Sequence, residues 1–329
     1  METRKPIASL SLDLDDKWSY MKTHGDPGWD SFPSYLDIVV PRVLGLLDTL
    51  DLTITVFIVG QDAALARNRE SLAAIAAAGH EIGNHSFHHE VWLNRYSEAQ
   101  IETELGRAEE SIERATGRSP CGFRGPGFSL SRRTVQALAR RGYLYDASTL
   151  PTFLGPLARA YFLRTSRMSR EAIRQRTALF GTFRDGLRPI RPYRWRTPAG
   201  ELIEIPVTTM PVFRVPMHAS YVIYLSALSP GLAVRYFRAA LALCRLTGSP
   251  PSVLLHPLDF LGADDMKDLA FFPGMTLTSG RKLEVLGELL RLLSSQFTVV
   301  PLREQARHLG RATSLAVREP VFRHADDAV

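Results

Sequence analysis

Short runs of apolar and β-branched residues alternate along this chain with longer segments of helical periodicity. That alternation confines the fold to the α/β class, with a mainly parallel sheet or an α/β barrel. The first run, Ile7–Leu14, interleaves small and apolar residues. Thr53–Val59, Glu81–Gly83, Cys121–Arg124, Tyr143–Asp146, Leu202–Val207, Val253–His256 and Phe297–Val300 read as further strands. Helical patterns fill the gaps at Ser34–Leu50, Arg69–Ala78, Ser131–Gly142, Ser229–Gly248 and Arg281–Leu293. Another opens at Ser97, where Gln100 completes a capping box ahead of the stripe Ile101, Leu105, Ala108 and Ile112. Gly79 and Gly117 are helix stops. Pro41 predicts a kink or restart in its helix, and Ser229-Pro230 is a cap followed by a first-turn proline.

Composition narrows the class further. With 45% apolar and 22% charged residues, disordered, collagen-like and coiled-coil architectures are excluded. Two cysteines cannot form a disulfide framework. No stretch reaches the ~18 apolar residues of a spanning helix; the most apolar region, Met210–Leu228, is broken by Arg214, Pro216 and His218. A strand that begins at Ile7 leaves no room for a cleavable leader, so a cytoplasmic location is expected. Charge is unevenly spread. Phe153–Gly200 holds eleven arginines against Glu171 and Asp185, a net of +9, whereas the whole chain carries +6. One catalytic domain over 1–310 is expected, with a basic insertion at 153–200, followed by a polar tail at 311–329.

Chemically useful residues gather at the strand ends, where ligands sit in parallel α/β folds. The first strand ends in Asp13-Leu14-Asp15-Asp16, a cluster that is costly to bury unless paired or bound to a cation. The third leads into Asn84-His85-Ser86-Phe87-His88-His89. A helical turn there would put His85 and His89 on one face, as two metal ligands, with His88 competing at spacing three. Two imidazoles and one carboxylate leave coordination positions open, the pattern of a hydrolytic metal centre. The fourth strand ends in Phe123-Arg124-Gly125-Pro126-Gly127-Phe128, and Arg124 could hold an aspartate by a bidentate pair. Asp146 with Ser148 ends the fifth strand, and His256 ends Leu254-Leu255-His256-Pro257.

The order of an Asp-rich strand end, His-Ser-x-x-His, Phe-Arg-x-Pro-Gly, Asp-x-Ser and Leu-His resembles the polysaccharide deacetylase family, carbohydrate esterase family four. The likeness covers residues 6–150 and resumes near 202–300. It is closest to a cytoplasmic branch with an Asp-x-Asp first motif. The resemblance implies a distorted (β/α)7 barrel, here with an arginine-rich insertion. It implies hydrolysis of N-acetyl or O-acetyl groups on sugars with one divalent metal, most often Zn2+. By position, Asp15 resembles the metal aspartate (Asp16 is the neighbouring alternative), and His85 and His89 the other ligands. Asp13 resembles the general base, Arg124 the residue that holds it, His256 the general acid and Asp146 the carboxylate that tunes it. A backbone N–H near Phe87–His88 would add to oxyanion stabilisation.

The expected function is removal of an N-acetyl or N-formyl group from a sugar or glycan. Hydrolysis of another non-peptide amide on the same fold is the alternative. A cytoplasmic enzyme would meet polyprenyl-phosphate-linked precursors at an anionic membrane surface. The arginines of 153–200 suit the phosphate, and Phe153, Leu154, Leu157, Tyr161, Phe162 and Leu163 the lipid chain. A basic membrane- or nucleic-acid-binding protein is the non-enzymatic reading; nucleic acid ranks last because no recognisable binding module accompanies the arginines.

Overall fold

A computed structural model describes residues 5–155, 183–311 and 315–322. Ten strands form one sheet: β1 Ile7–Leu14, β2 Thr55–Ile58, β3 Glu81–Asn84, β4 Gly122–Phe123, β5 Tyr145–Asp146, β6 Tyr193–Thr197, β7 Gly200–Glu204, β8 Ser252–Leu255, β9 Thr298–Val300 and β10 Val317–Arg318. The order is β10-β6-β7-β5-β4-β3-β2-β1-β8, with β9 paired to β1. The seven consecutive strands from β7 to β8 are mutually parallel, as expected for the seven-stranded barrel type. Between the two ends of this run, Thr208 N–H donates to Ser252 O and Ser252 N–H to Thr208 Oγ1, so the chain after β7 bridges towards β8.

Period-two alternation on β1 sorts the two faces. Ala8, Leu10, Leu12 and Leu14 point out into a core shared with helices Leu36–Thr49, Pro230–Thr247 and Ser279–Gln296. The odd-numbered set, Ser9, Ser11 and Asp13, is buried without joining that apolar cluster. A second small core holds Phe57, Tyr145 and Ile203 together with Leu302 and Ala306 of helix Leu302–Gly310. This helix sits under the amino-terminal ends of the strands: Leu302 N–H donates to Thr55 Oγ1, and Arg303 N–H to Glu81 Oε2. The opposite, carboxyl-terminal end is left for the polar residues.

The capping box at Ser97 forms with both of its hydrogen bonds, and Ile101, Leu105, Ala108 and Ile112 are all buried on the helix Glu98–Thr116. The helix Leu36–Thr49 runs through Pro41 without the expected break. Pro41 and Asp37, whose carbonyl loses its partner, are both exposed, while Val39, Val40, Val43 and Leu47 anchor the other side. Two further differences concern the basic segment and the tail. The final residues of 153–200 are β6, which pairs antiparallel with β7. The tail expected to be polar also carries packed structure: β10 pairs with β6, and Phe322 is buried 5.7 Å from Trp195. Arg159, Arg164, Arg167, Arg170, Arg174 and Arg176 lie outside the described residues, as do Leu157, Tyr161, Phe162 and Leu163. Among the described arginines of the segment, Arg188 pairs with Asp185 at 2.9 Å, Arg191 donates to Thr247 O and Arg194 pairs with Glu201 at 3.0 Å. No helix among the described residues is long and apolar enough to cross a membrane.

Candidate metal-dependent active site

The carboxyl-terminal ends of β1, β3, β4 and β8 bring Asp13, Asp15, His85, His89, Arg124 and His256 together. Five of these, all but Arg124, line one pocket of about 140 Å3, with Tyr20, Phe128 and Phe272. Arg124 is fully buried beside it.

Asp15 Oδ1 lies 3.3 Å from His85 Nε2 and 3.0 Å from His89 Nε2. His85 Nδ1 donates to the Arg124 carbonyl at 2.6 Å, which leaves the Nε2 lone pair facing Asp15. Asp15 Oδ1 and both ring nitrogens of His89 are buried without a hydrogen-bond partner among the described residues. Burial alone would raise the Asp15 carboxyl, but the His89 charge and the two imidazole contacts more than offset it and hold it well below the usual carboxylate range. Burial acts to lower His85, and the charges of Asp13 and Asp15 reverse that. Two imidazoles and an ionised oxygen, converging on one point, are the donor set that a divalent cation satisfies. Metal is therefore a good fit to these residues.

Asp16 points elsewhere. Its Oδ1 accepts from Lys17 N–H at 2.7 Å and Tyr35 N–H at 2.9 Å, so it caps helix α1, Lys17–His24. Nor does His88 join the cluster: its Nδ1 meets Glu104 and its Nε2 meets Arg107. The helical turn expected over 85–89 is absent. An irregular loop with Ser86 and His89 in the left-handed region (φ 61° and 53°) brings the two ligand rings to 5.1 Å. Each such backbone costs about 1–3 kcal/mol and persists only where its surroundings impose it. Here Glu104 does so. Its Oε2 accepts from Phe87 N–H at 2.9 Å and His88 N–H at 3.0 Å. Those two amides are thus occupied and are not the oxyanion donors expected from the sequence.

Arg124 Nη1 donates to Asp13 Oδ1 at 2.6 Å and to Ser11 Oγ at 2.9 Å, and Nε to Ala147 O at 2.9 Å. The expected bidentate pair is therefore a single contact, because the guanidinium is shared among three partners and lies over the Phe57 ring. The turn after Arg124 needs glycine: a Cβ on Gly125 would stand 2.0 Å from the Ser129 carbonyl oxygen, and Gly127 has φ 57°.

His256 Nδ1 lies 3.0 Å from Ser220 Oγ, and the His256 backbone N–H donates to Asp259 Oδ2 at 2.8 Å. Asp259 thus holds the main chain of His256, and Ser220 meets its ring. Asp146 accepts from Ser148 Oγ at 2.5 Å and shares a hydrogen bond with Glu204; no bond to His256 is present among the described residues. Burial, reinforced by the Asp146 charge, pushes Glu204 far above its ordinary range, so Glu204 keeps its proton. His218, ring to ring 5.9 Å from His256, is pushed down to about 3 by burial and then by the His256 and Arg124 charges, and stays neutral. Asp259, Glu104 and His218 were missed from sequence. Glu104 left a signal: a carboxylate in an otherwise apolar helix stripe.

Residues 26–145 match the family described as polysaccharide deacetylase. That match spans just over a third of the chain. The deacetylase match contains His85, His89 and Arg124 but not Asp13, Asp15 or His256, which the fold brings to them. A peptidoglycan deacetylase of Helicobacter pylori is 30% identical over 128 residues, 39% of this chain and 41% of the relative. A peptidoglycan deacetylase-like protein of Gibberella zeae is 32% identical over 111 residues, 33% of this chain and 32% of the relative. The chain thus matches less than half the length of these curated relatives. In fold, the chain is similar to a putative polysaccharide deacetylase from Mycobacterium smegmatis (TM-score 0.63, 22% identity, 98% and 97% of the two chains). It is also similar to the allantoinase PuuE (TM-score 0.56, 18% identity, 95% and 93%).

Proposed function

We propose that this protein is a metal-dependent hydrolase that removes an N-acetyl or N-formyl group from a sugar of a glycan. The observation that carries the reading is the meeting of Asp15, His85 and His89, three convergent metal donors, with an Arg124-held Asp13 in the same pocket. A divalent ion, zinc by donor chemistry, would be held by those three residues and would supply Lewis acidity towards the acyl carbonyl. Asp13 takes the proton from the attacking water, and Arg124 fixes the carboxylate for that task. His256, braced at Nδ1 by Ser220, gives a proton to the departing amine. Water and amide thus yield the free amine and a carboxylate.

The finer reading is a polyprenyl-phosphate-linked glycan precursor, met at the cytoplasmic face of an anionic membrane. Two loops carrying exposed Phe183, Leu187, Val212 and Phe213 support it. The Arg214 guanidinium ties them together by donating to the Gly186 and Arg188 carbonyls. The test is release of acetate, formate or ammonia from a panel of N-acetyl sugars, N-formyl sugars and a cyclic ureide, with and without chelator. Chelator-sensitive acetate or formate release from the sugars is expected. Turnover of the ureide alone would replace the sugar reading with the cyclic amide one, and full activity in chelator would overturn the metal reading. Co-sedimentation with anionic but not neutral vesicles tests the membrane reading.

A further inference from the structure

Helix α1 follows directly from the Asp13–Asp16 strand end, and the Asp16 cap fixes how it leaves β1. One turn in, Tyr20 lines the pocket that Asp13, Asp15 and His256 also line. Its ring is held edge-on by Phe272, with centroids 4.9 Å apart at 83°. Its hydroxyl oxygen is shut off from bulk solvent and has no hydrogen-bond partner among the described residues. A buried hydroxyl without a partner is costly, and at a pocket wall a bound molecule is able to supply the missing partner. The nearby Ser19 hydroxyl offers no substitute, because it donates to the Asp16 carbonyl at 2.7 Å. Burial and the surrounding Asp15, Asp259 and Asp13 carboxylates all oppose loss of the phenolic proton, so the group is a donor throughout the working pH range. The acyl oxygen of an amide is an acceptor that becomes a stronger one as the carbonyl carbon is attacked.

We propose that Tyr20 is a catalytic residue of this site, its O–H donating to the acyl oxygen of the substrate and holding it more strongly as that oxygen gains charge. The assignment rests on the hydrolase reading above. No atom is transferred to or from Tyr20: it binds the oxygen and keeps its proton.

The test compares zinc-loaded wild type with Tyr20→Phe, which keeps the ring and its Phe272 contact. Three quantities are read: zinc stoichiometry, steady-state hydrolysis of the best N-acyl sugar, and calorimetric titration with acetate, the product that carries the same oxygens. Unchanged zinc, a roughly 100-fold fall in kcat with KM within threefold, and about tenfold weaker acetate binding are expected. Values of kcat and acetate affinity both within threefold of wild type would overturn the assignment. Loss of zinc would overturn it too, by showing a structural role. If wild type hydrolyses no N-acyl sugar, the function reading fails while the acetate titration still decides: a tenfold loss supports Tyr20 as the oxygen's donor, and equal or undetectable binding refutes it.

Discussion

His88 and His89 are adjacent in sequence and do opposite things. One faces Glu104 and Arg107 on the outside of its loop; the other faces Asp15. Zinc titration should separate them. His89→Ala and Asp15→Asn are expected to lose zinc, whereas His88→Ala and Asp16→Asn should hold it near wild-type affinity. Zinc bound by His89→Ala and lost from His88→Ala would reverse the assignment. The meeting of Asp15, His85 and His89 was legible in the sequence because each follows a strand in the same sheet, and strand register carries such residues towards one end. Asp259, Glu104 and Tyr20 were not, since they arrive from loops and helices whose approach depends on tertiary packing. Asp146 was read by position in a motif, and the structure buries it against Ser148 and Glu204.

At the scale of elements, the helix Ser279–Gln296 does more than cover the sheet. Its Lys282 is buried, and Nζ donates to Leu258 O at 2.8 Å, inside the short turn Pro257–Asp259 that follows His256. Burial pushes this ammonium down to about 8 from 10.5. Between those pH values the unfolded chain binds one more proton than the folded chain, so this group makes stability rise with pH, by up to ~1.4 kcal/mol per pH unit. Denaturant unfolding of wild type and Lys282→Met at pH 7.5, 8.5 and 9.5 should show the difference. Relative to the variant, wild type gains stability as pH increases, and parallel curves would refute the burial argument. Strand β6 was hidden in the sequence for a related reason. Tyr193, Trp195 and Thr197 alternate as a strand should, but Arg194 and Arg196 between them read as part of a basic insertion. The capping box at Ser97 was legible because both of its bonds are local.

For the molecule as a whole, the layering runs from an apolar plug at one end to a polar pocket at the other. The helix Leu302–Gly310 fills the base, Phe57, Tyr145 and Ile203 the middle, and Arg124 rests on Phe57 beneath the pocket. β1 is the hub of this arrangement: it pairs with β2, β8 and β9, whereas among the described residues β10 pairs with β6 alone. Deuterium labelling of the backbone would therefore find the slowest amides in β1, exchanging only by global unfolding, and much faster ones in β10. Comparable rates in the two strands would show that the hub confers no such rigidity. Asp13 is mounted on the last part of the protein to come apart, so loss of the pocket on heating should coincide with loss of the fold.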